Sequence, residues 1–278
     1  NHITLEGPVN GPANISLIAN GSIHQAADGD ITAGGTGTID LEASGDTITM
    51  DDGATACTAG QNIRYSASHA VVLGSLNANG GDVSITTAGG AVFDGGDAAP
   101  DVIADELRIS AGGNVGHPEG VNDGPIDAAV NEFAGVSEGP DGVFLTNSQA
   151  LTVAEVDRVP VHRVDVDGTT DPEEDISNLS DVTTESNGGN VVLKTTAGNL
   201  TITAGGDGDS RGIDADQDGN VRLETDDTGS TADVILSADT LVETETGNIS
   251  VIAADDFDVN DDADLISGGS DAIYVQRS

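Results

Sequence analysis

Short runs along this chain alternate apolar and polar residues with a period of two, as where Ile39 and Leu41 stand against Asp40 and Glu42. Such alternation buries one side of an extended strand and wets the other, so the pattern predicts strands and not helices. The runs also recur. Asn-Ile-Ser-Leu-Ile-Ala at 14 to 19 is followed by Thr-Ile-Asp-Leu-Glu-Ala at 38 to 43, Asn-Ile-Arg-Tyr-Ser-Ala at 62 to 67 and Asp-Val-Ser-Ile-Thr-Thr at 82 to 87. Related runs lie at 106 to 111, 142 to 147, 190 to 195 and 220 to 225. Their first apolar residues, Ile15, Ile39, Ile63, Val83, Leu107, Val143, Val191 and Val221, are spaced 24, 24, 20, 24, 36, 48 and 30 apart. A basic period of 20 to 24 survives with insertions, blurs after Val221, and returns as Asn-Ile-Ser-Val-Ile-Ala at 248 to 253. Second strands follow a glycine turn, as in Thr-Ala-Gly-Asn-Leu-Thr-Ile at 196 to 202.

A coil of 20 to 24 residues built from short strands and Gly, Asn or Asp corners predicts an all-β parallel β-helix, in which each coil bonds to those above and below. Stacking then puts Ile15, Ile39, Ile63 and Val83 in one interior column and Leu17, Leu41, Tyr65 and Ile85 in the next. Roughly eleven coils about 4.8 Å apart make a rod on the order of 50 Å long. Asn14, Asn62, Asn190, Asn220 and Asn248 recur just before strands, where Asn suits turn geometry and bonds local backbone. The whole of 1–278 is expected to be one solenoid segment, with insertions at 112–141 and 154–189. Within the first, Ile126, Ala129, Val130 and Phe133 have the spacing of a short amphipathic helix.

Composition sharpens the picture. The chain has 49 acids, 8 bases, six aromatic residues and no Trp, so its interior must be thin and aliphatic, as repetition allows. A formal charge of −41 repels nucleic acid and anionic membranes, leaving cations, neutral surfaces or basic proteins as partners. A high-salt habitat explains the same composition. The single Cys57 excludes an internal disulfide. No signal peptide and no run of 18 apolar residues is present, and a start at Asn1 without Met suggests a piece of something longer.

The stretch Gly-Pro-Ile-Asp-Ala-Ala-Val-Asn-Glu-Phe-Ala, followed by Gly-Val-Phe-Leu-Thr-Asn-Ser-Gln-Ala-Leu-Thr-Val at 142 to 153, resembles the repeats of filamentous-haemagglutinin-like large exoproteins. The Gly-Asn-apolar-Thr-Ile repeats elsewhere look similar. The resemblance implies a right-handed parallel β-helix serving as the stalk of a secreted or surface-attached bacterial adhesin, and it makes 125 to 134 an irregular rung instead of a helix. The family's amino-terminal secretion domain is not recognisable in this sequence.

Candidate chemistry is sparse. His2, His24, His69, His117 and His162 lack zinc-ligand spacing, and neither a nucleophile elbow nor a phosphate loop occurs. Paired carboxylates for glycoside hydrolysis are so abundant that a chance pair carries little information, while sugar-binding aromatics and basic residues are scarce. The one patterned cluster is Asp-Ala-Asp-Gln-Asp-Gly-Asn at 214 to 220. Asp214, Asp216 and Asp218 match the start of an EF-hand loop, but its twelfth position is Thr225, where a bidentate Glu is needed. A shallower calcium site at a coil corner, completed by Asp207, Asp209 or water, stands beside the plainer reading of a solvated turn. The sequence is thus expected to be a non-enzymatic, extracellular or cell-surface stalk, spacer or filament unit, requiring no cofactor, though calcium is one its acids suit. Neighbouring repeats, copies of itself, a cell surface or a glycan are the expected partners, and it does not span a membrane. The alternatives are a polysaccharide-binding or polysaccharide-degrading module and a calcium-stabilised extracellular repeat.

Overall fold

The computed structural model describes residues 1–96, 99–121, 124–185, 188–227, 229, 231–268 and 273–277. All of its regular structure is β, and the chain winds as a parallel β-helix. Early rungs have three short strands each, as in Ile3–Leu5, Val9–Gly11 and Ile15–Ala19. The next rung places Ile23–Gln25, Ile31–Ala33 and Ile39–Ala43 over them in parallel register. Three stacked faces result: a first of five strands, a second of eleven, running from Val9–Gly11 to Ile273–Arg277, and a third of fourteen.

The columns expected from the repeats are present. Ile15, Ile39, Ile63, Val83, Leu107 and Phe133 pair successively along the third face, as do Leu17, Leu41, Tyr65 and Ile85. Between Ile39 and Phe133 the first column is wholly buried, and each such aliphatic side chain contributes roughly 1.5–3 kcal/mol relative to exposure. The few large interior groups need special accommodation. Tyr65 donates its hydroxyl to Gln25 Oε1 at 3.3 Å, and Gln25 Nε2 donates to the Thr55 carbonyl at 2.7 Å, so this buried polar pair is satisfied. Gly135 continues the Ile85–Ile109 column because the Phe133 ring fills that space: a Cβ on it would lie 2.6 Å from Phe133 Cζ.

The later repeats do not continue the first columns. Val143, Val191, Val221, Ile249 and Ile273 stack on the second face, whereas Ile15 to Phe133 stack on the third. The change occurs where the cross-section is rebuilt. Val115 bridges Val92 of the first face to Val143, while Ile126–Ala129 pairs Gly142–Asn147 from the second face, so one long strand takes over both. At the same level the third face divides. Glu132–Ser137 is met by Leu151–Val153 on its first half and by Val182–Thr184 on its second. The spacing of 36 that ends at Val143 thus steps from one face to another, and the spacing of 48 to Val191 spans the excursion between the two half-strands. Residues 126–129 and 132–137 are strands. Their helix-like spacing arises because the corner at Val130 and Asn131 restarts the alternation, leaving Ile126, Ala128, Val130 and Phe133 buried.

The strand-preceding asparagines bond along the axis, not to local backbone. Asn14 Oδ1 accepts the Thr38 N–H at 3.0 Å, Asn62 Oδ1 accepts that of Asp82 at 2.9 Å, and Asn190 and Asn220 accept those of Asn220 and Asn248, both at 3.0 Å. Each of these four corner amides finds its acceptor one rung away, which is why the residue recurs at this point. Replacing Ile39 by Ala is expected to cost about 2–5 kcal/mol, whereas Ile18→Ala, at a position 42% exposed, should change stability by less than about 0.5 kcal/mol. Chemical denaturation of the two variants distinguishes interior from exterior columns.

Candidate functional site

The excursion between Val153 and Val182 is a strap laid across the outside of the third face. Its neck is closed by Val156 and Leu179, which exchange N–H···O=C bonds at 2.8 and 2.9 Å. From there it runs back down the rungs to the antiparallel hairpin Val161–Val164 with Thr170–Glu173. Arg108 Nη1 donates to the Ser177 carbonyl at 2.7 Å, Ser84 Oγ to Asp175 at 2.9 Å and Asn62 Nδ2 to the Pro160 carbonyl at 3.0 Å. Nearest the first rung, the His162 and Val164 N–H groups donate to Thr38 Oγ1 and Ser16 Oγ at 2.8 and 2.9 Å. The strap therefore ties five successive rungs together from outside.

Charge fixes its position. Asp40, fully buried, receives Arg64 from its own face at 2.6 Å and Arg163 from the strap at 2.7 Å, and Arg163 also reaches Glu42 at 2.6 Å. Arg108 is buried beside Asp175 at 3.5 Å; burial pushes its pKa down, which the Asp175 charge opposes. All eight bases of the chain lie in ion pairs, four of them at the strap. Between strap and face runs a groove of about 410 Å³, lined by Arg64, Ser66, Thr86, Arg108 and Ser110 on one side.

Elsewhere acids crowd one another. Glu106 pairs in register with Glu132, and burial, then Asp82 and Glu132, push its carboxyl up to about 7. Asp101 is 1% exposed with Oδ1 unpartnered; burial, then Asp94, push it up to about 9. Burial also raises Asp181 to about 7, with Asp207 and Asp209 adding to the shift.

The sequence-predicted metal residues are spread around one corner. Asp214 points outward from Arg211–Ala215, 3.4 Å from Arg211 Nε, and burial raises its pKa while Arg211 lowers it. The Asp216 carbonyl accepts the Gly219 N–H at 3.1 Å, closing a turn with Gln217 at φ +53°. Asp218 is exposed beside Gly188. Among the described residues, the group of three whose ligand atoms all lie within 4.8 Å of one another is instead Asp181, Asp207 and Asp209. Asp207 and Asp209 are legible as acids of a corner, but Asp181 is brought there by the split third face and is invisible in local spacing. Of the histidines, His24 meets Asp51 at 2.9 Å, His2 meets Ser22 at 2.7 Å, His117 stacks on Phe93, and His162 lies on the strap. No family model, curated protein or solved structure matches the chain.

Arg163→Ala leaves buried Asp40 with Arg64 as its remaining partner and removes the strap's anchor. Cleavage by Glu-C protease after Glu173 or Glu174 should quicken about tenfold, the equivalent of about 1.4 kcal/mol and below the ~3–5 kcal/mol of a wholly broken buried pair; Arg222→Ala should leave the rate unchanged. A pH dependence also follows. Asp101, Glu106 and Asp181 have native pKa values above their ordinary ones. Between about pH 5 and 9 the native chain therefore binds more protons than the unfolded chain, and stability falls as pH rises. Urea midpoints in chelator at constant ionic strength should be lower at pH 8 than at pH 5.

Proposed function

We propose that this chain is a non-catalytic structural segment of a secreted or cell-surface β-helical protein, serving as a stalk, spacer or filament unit that joins further rungs end-on. The observation that carries the reading is the last rung. Ile273–Arg277 pairs on one side with Ile249–Ala253 and stands at the margin of its sheet, with Ile273 43%, Tyr274 54% and Val275 50% exposed. At the other margin Ile3, Val9 and Leu17 are partly buried against the core. Among the described residues, the strand edges and apolar columns at these two margins are templates for another rung, which a copy of the chain can supply. The resemblance to filamentous-haemagglutinin-like repeats points the same way.

The strap suits a load-bearing role, since it ties rungs from outside where axial hydrogen bonds join them from within. A polysaccharide-binding or polysaccharide-degrading module is less well supported: the groove beneath the strap has no aromatic residue in its lining, and its two arginines are engaged by Asp40, Asp175 and the Ser177 carbonyl. No helix of the described chain is long and apolar enough to cross a membrane.

The test is end-on assembly. The purified chain should form rods in multiples of about 50 Å as its concentration rises, seen by electron microscopy and sedimentation. Val275→Pro, which removes an edge N–H and stiffens the strand, should remain as single units. If parent and variant both stay as single units at millimolar concentration, the end-on reading fails.

A further inference from the structure

Both ends of the strap place a carboxylate on the loop 203–210 of the rung that follows. Glu155 occupies the space that a side chain on Gly206 would need, and Asp181 Oδ1 the space that one on Gly205 would need. Glycine at both positions admits the two acids. Asp181 is 2% exposed, sits at φ +65°, and keeps Oδ1 buried with no hydrogen-bond partner. Burial of an unpaired carboxylate oxygen is unfavourable, and a carboxylate oxygen of this residue lies within 4.8 Å of those of Asp207 and Asp209.

The remaining contacts leave a surplus of negative charge. Asp207 Oδ1 accepts the Asp209 N–H at 3.1 Å, and Asp209 Oδ1 accepts the Arg211 N–H at 2.8 Å. Asp209 Oδ2 meets the Arg211 guanidinium at 3.1 Å, but that group is shared with Glu243 at 2.5 Å and Asp214 at 3.4 Å. Glu155 is held by Asn178 and Ser180 at 3.1 and 3.2 Å, both neutral donors. Of these acids it is Asp209 that pairs with Arg211, a cation already divided among other acids.

We propose that Asp181, Asp207 and Asp209 bind one calcium ion, which pins the returning end of the strap to the following rung. Oxygens held at about 2.3–2.6 Å from one calcium ion stand at most about 5 Å apart, and the three carboxylates meet that condition. Exposed Asp207 and Asp209 leave room for the waters that complete a calcium shell. Magnesium, at about 2.0–2.1 Å with strict octahedral geometry, needs a tighter set, and an all-carboxylate site suits a hard cation over zinc. This assignment is independent of the stalk reading: it holds or fails whether or not the chain forms rods.

Calorimetric titration of the full chain with calcium chloride in about 0.1 M sodium chloride separates one site from diffuse attraction by the acidic surface. One saturable site per chain is expected, with calcium raising the melting temperature beyond sodium at matched ionic strength. Asp181→Asn should weaken binding at least about tenfold while keeping the fold, because Asn accepts a positive φ. Asp207→Asn, at an exposed position, should do the same, and the pair Asp261→Asn and Asp262→Asn should leave binding unchanged. Absence of a saturable site, parental affinity in the Asp181 and Asp207 variants, or an equal response to magnesium would overturn the assignment.

Discussion

The structure depends on axial hydrogen bonding in strict register. Each strand pairs with its equivalents one rung above and below at about 4.8 Å, so whatever a residue is, its neighbours along the axis are the residues at the same position of other coils. Apolar positions become continuous columns, and a core one side chain deep suffices with six aromatic residues in 278. Corner amides find side-chain acceptors a full coil away in the series Asn190, Asn220 and Asn248. The same rule stacks like charges, as with Glu106 over Glu132, whose repulsion adds to the burial and the Asp82 charge that raise the Glu106 pKa.

An acidic solenoid must manage that charge on its outer faces. With eight bases available, the distribution is not even. Asp40, Arg64, Arg108, Arg163 and Asp175 make a buried band between strap and face, where Asp40 would be costly without its two guanidinium partners. The strap is thereby held by charge at its tip and by backbone pairing at its neck. Its re-entry point at Asp181 is the opposite case, where acids converge beside one arginine, which pairs with Asp209. The two regions differ in charge balance: guanidinium groups meet the carboxylates at one, and at the other three carboxylates gather beside the one arginine that pairs with Asp209.

Much of the fold was legible from the chain. The alternation in Ile39-Asp40-Leu41-Glu42 is local, and because the repeats keep their phase, the columns from Ile15 to Ile85 could be read directly. The step of Val143 onto another face was not legible, because merging the first two faces and splitting the third are decisions of tertiary packing that leave the local alternation of 142–147 unchanged. Helix-like spacing at 126–133 misled for a related reason: a corner inside an extended segment restarts the two-residue period. The acidic corner was half legible. Asp207 and Asp209 lie near the Asp214 motif in sequence, but Asp181 enters from the far end of a strap, and Asp214 is drawn outward by Arg211 along a strand.

Rung stacking itself can be measured by electron–electron double resonance in a Cys57→Ser background, with one spin label at Ala129 and a second placed in turn at Asn10 and Thr32. These positions share one column of the second face, through Thr32, Cys57, Asn77 and Ile103. The expected backbone separations are about 24 Å from Asn10 and about 19 Å from Thr32, five and four rungs at about 4.8 Å each. Distances that do not step by one rung between the two labels, or that scatter broadly, would contradict the in-register β-helix on which every other inference rests.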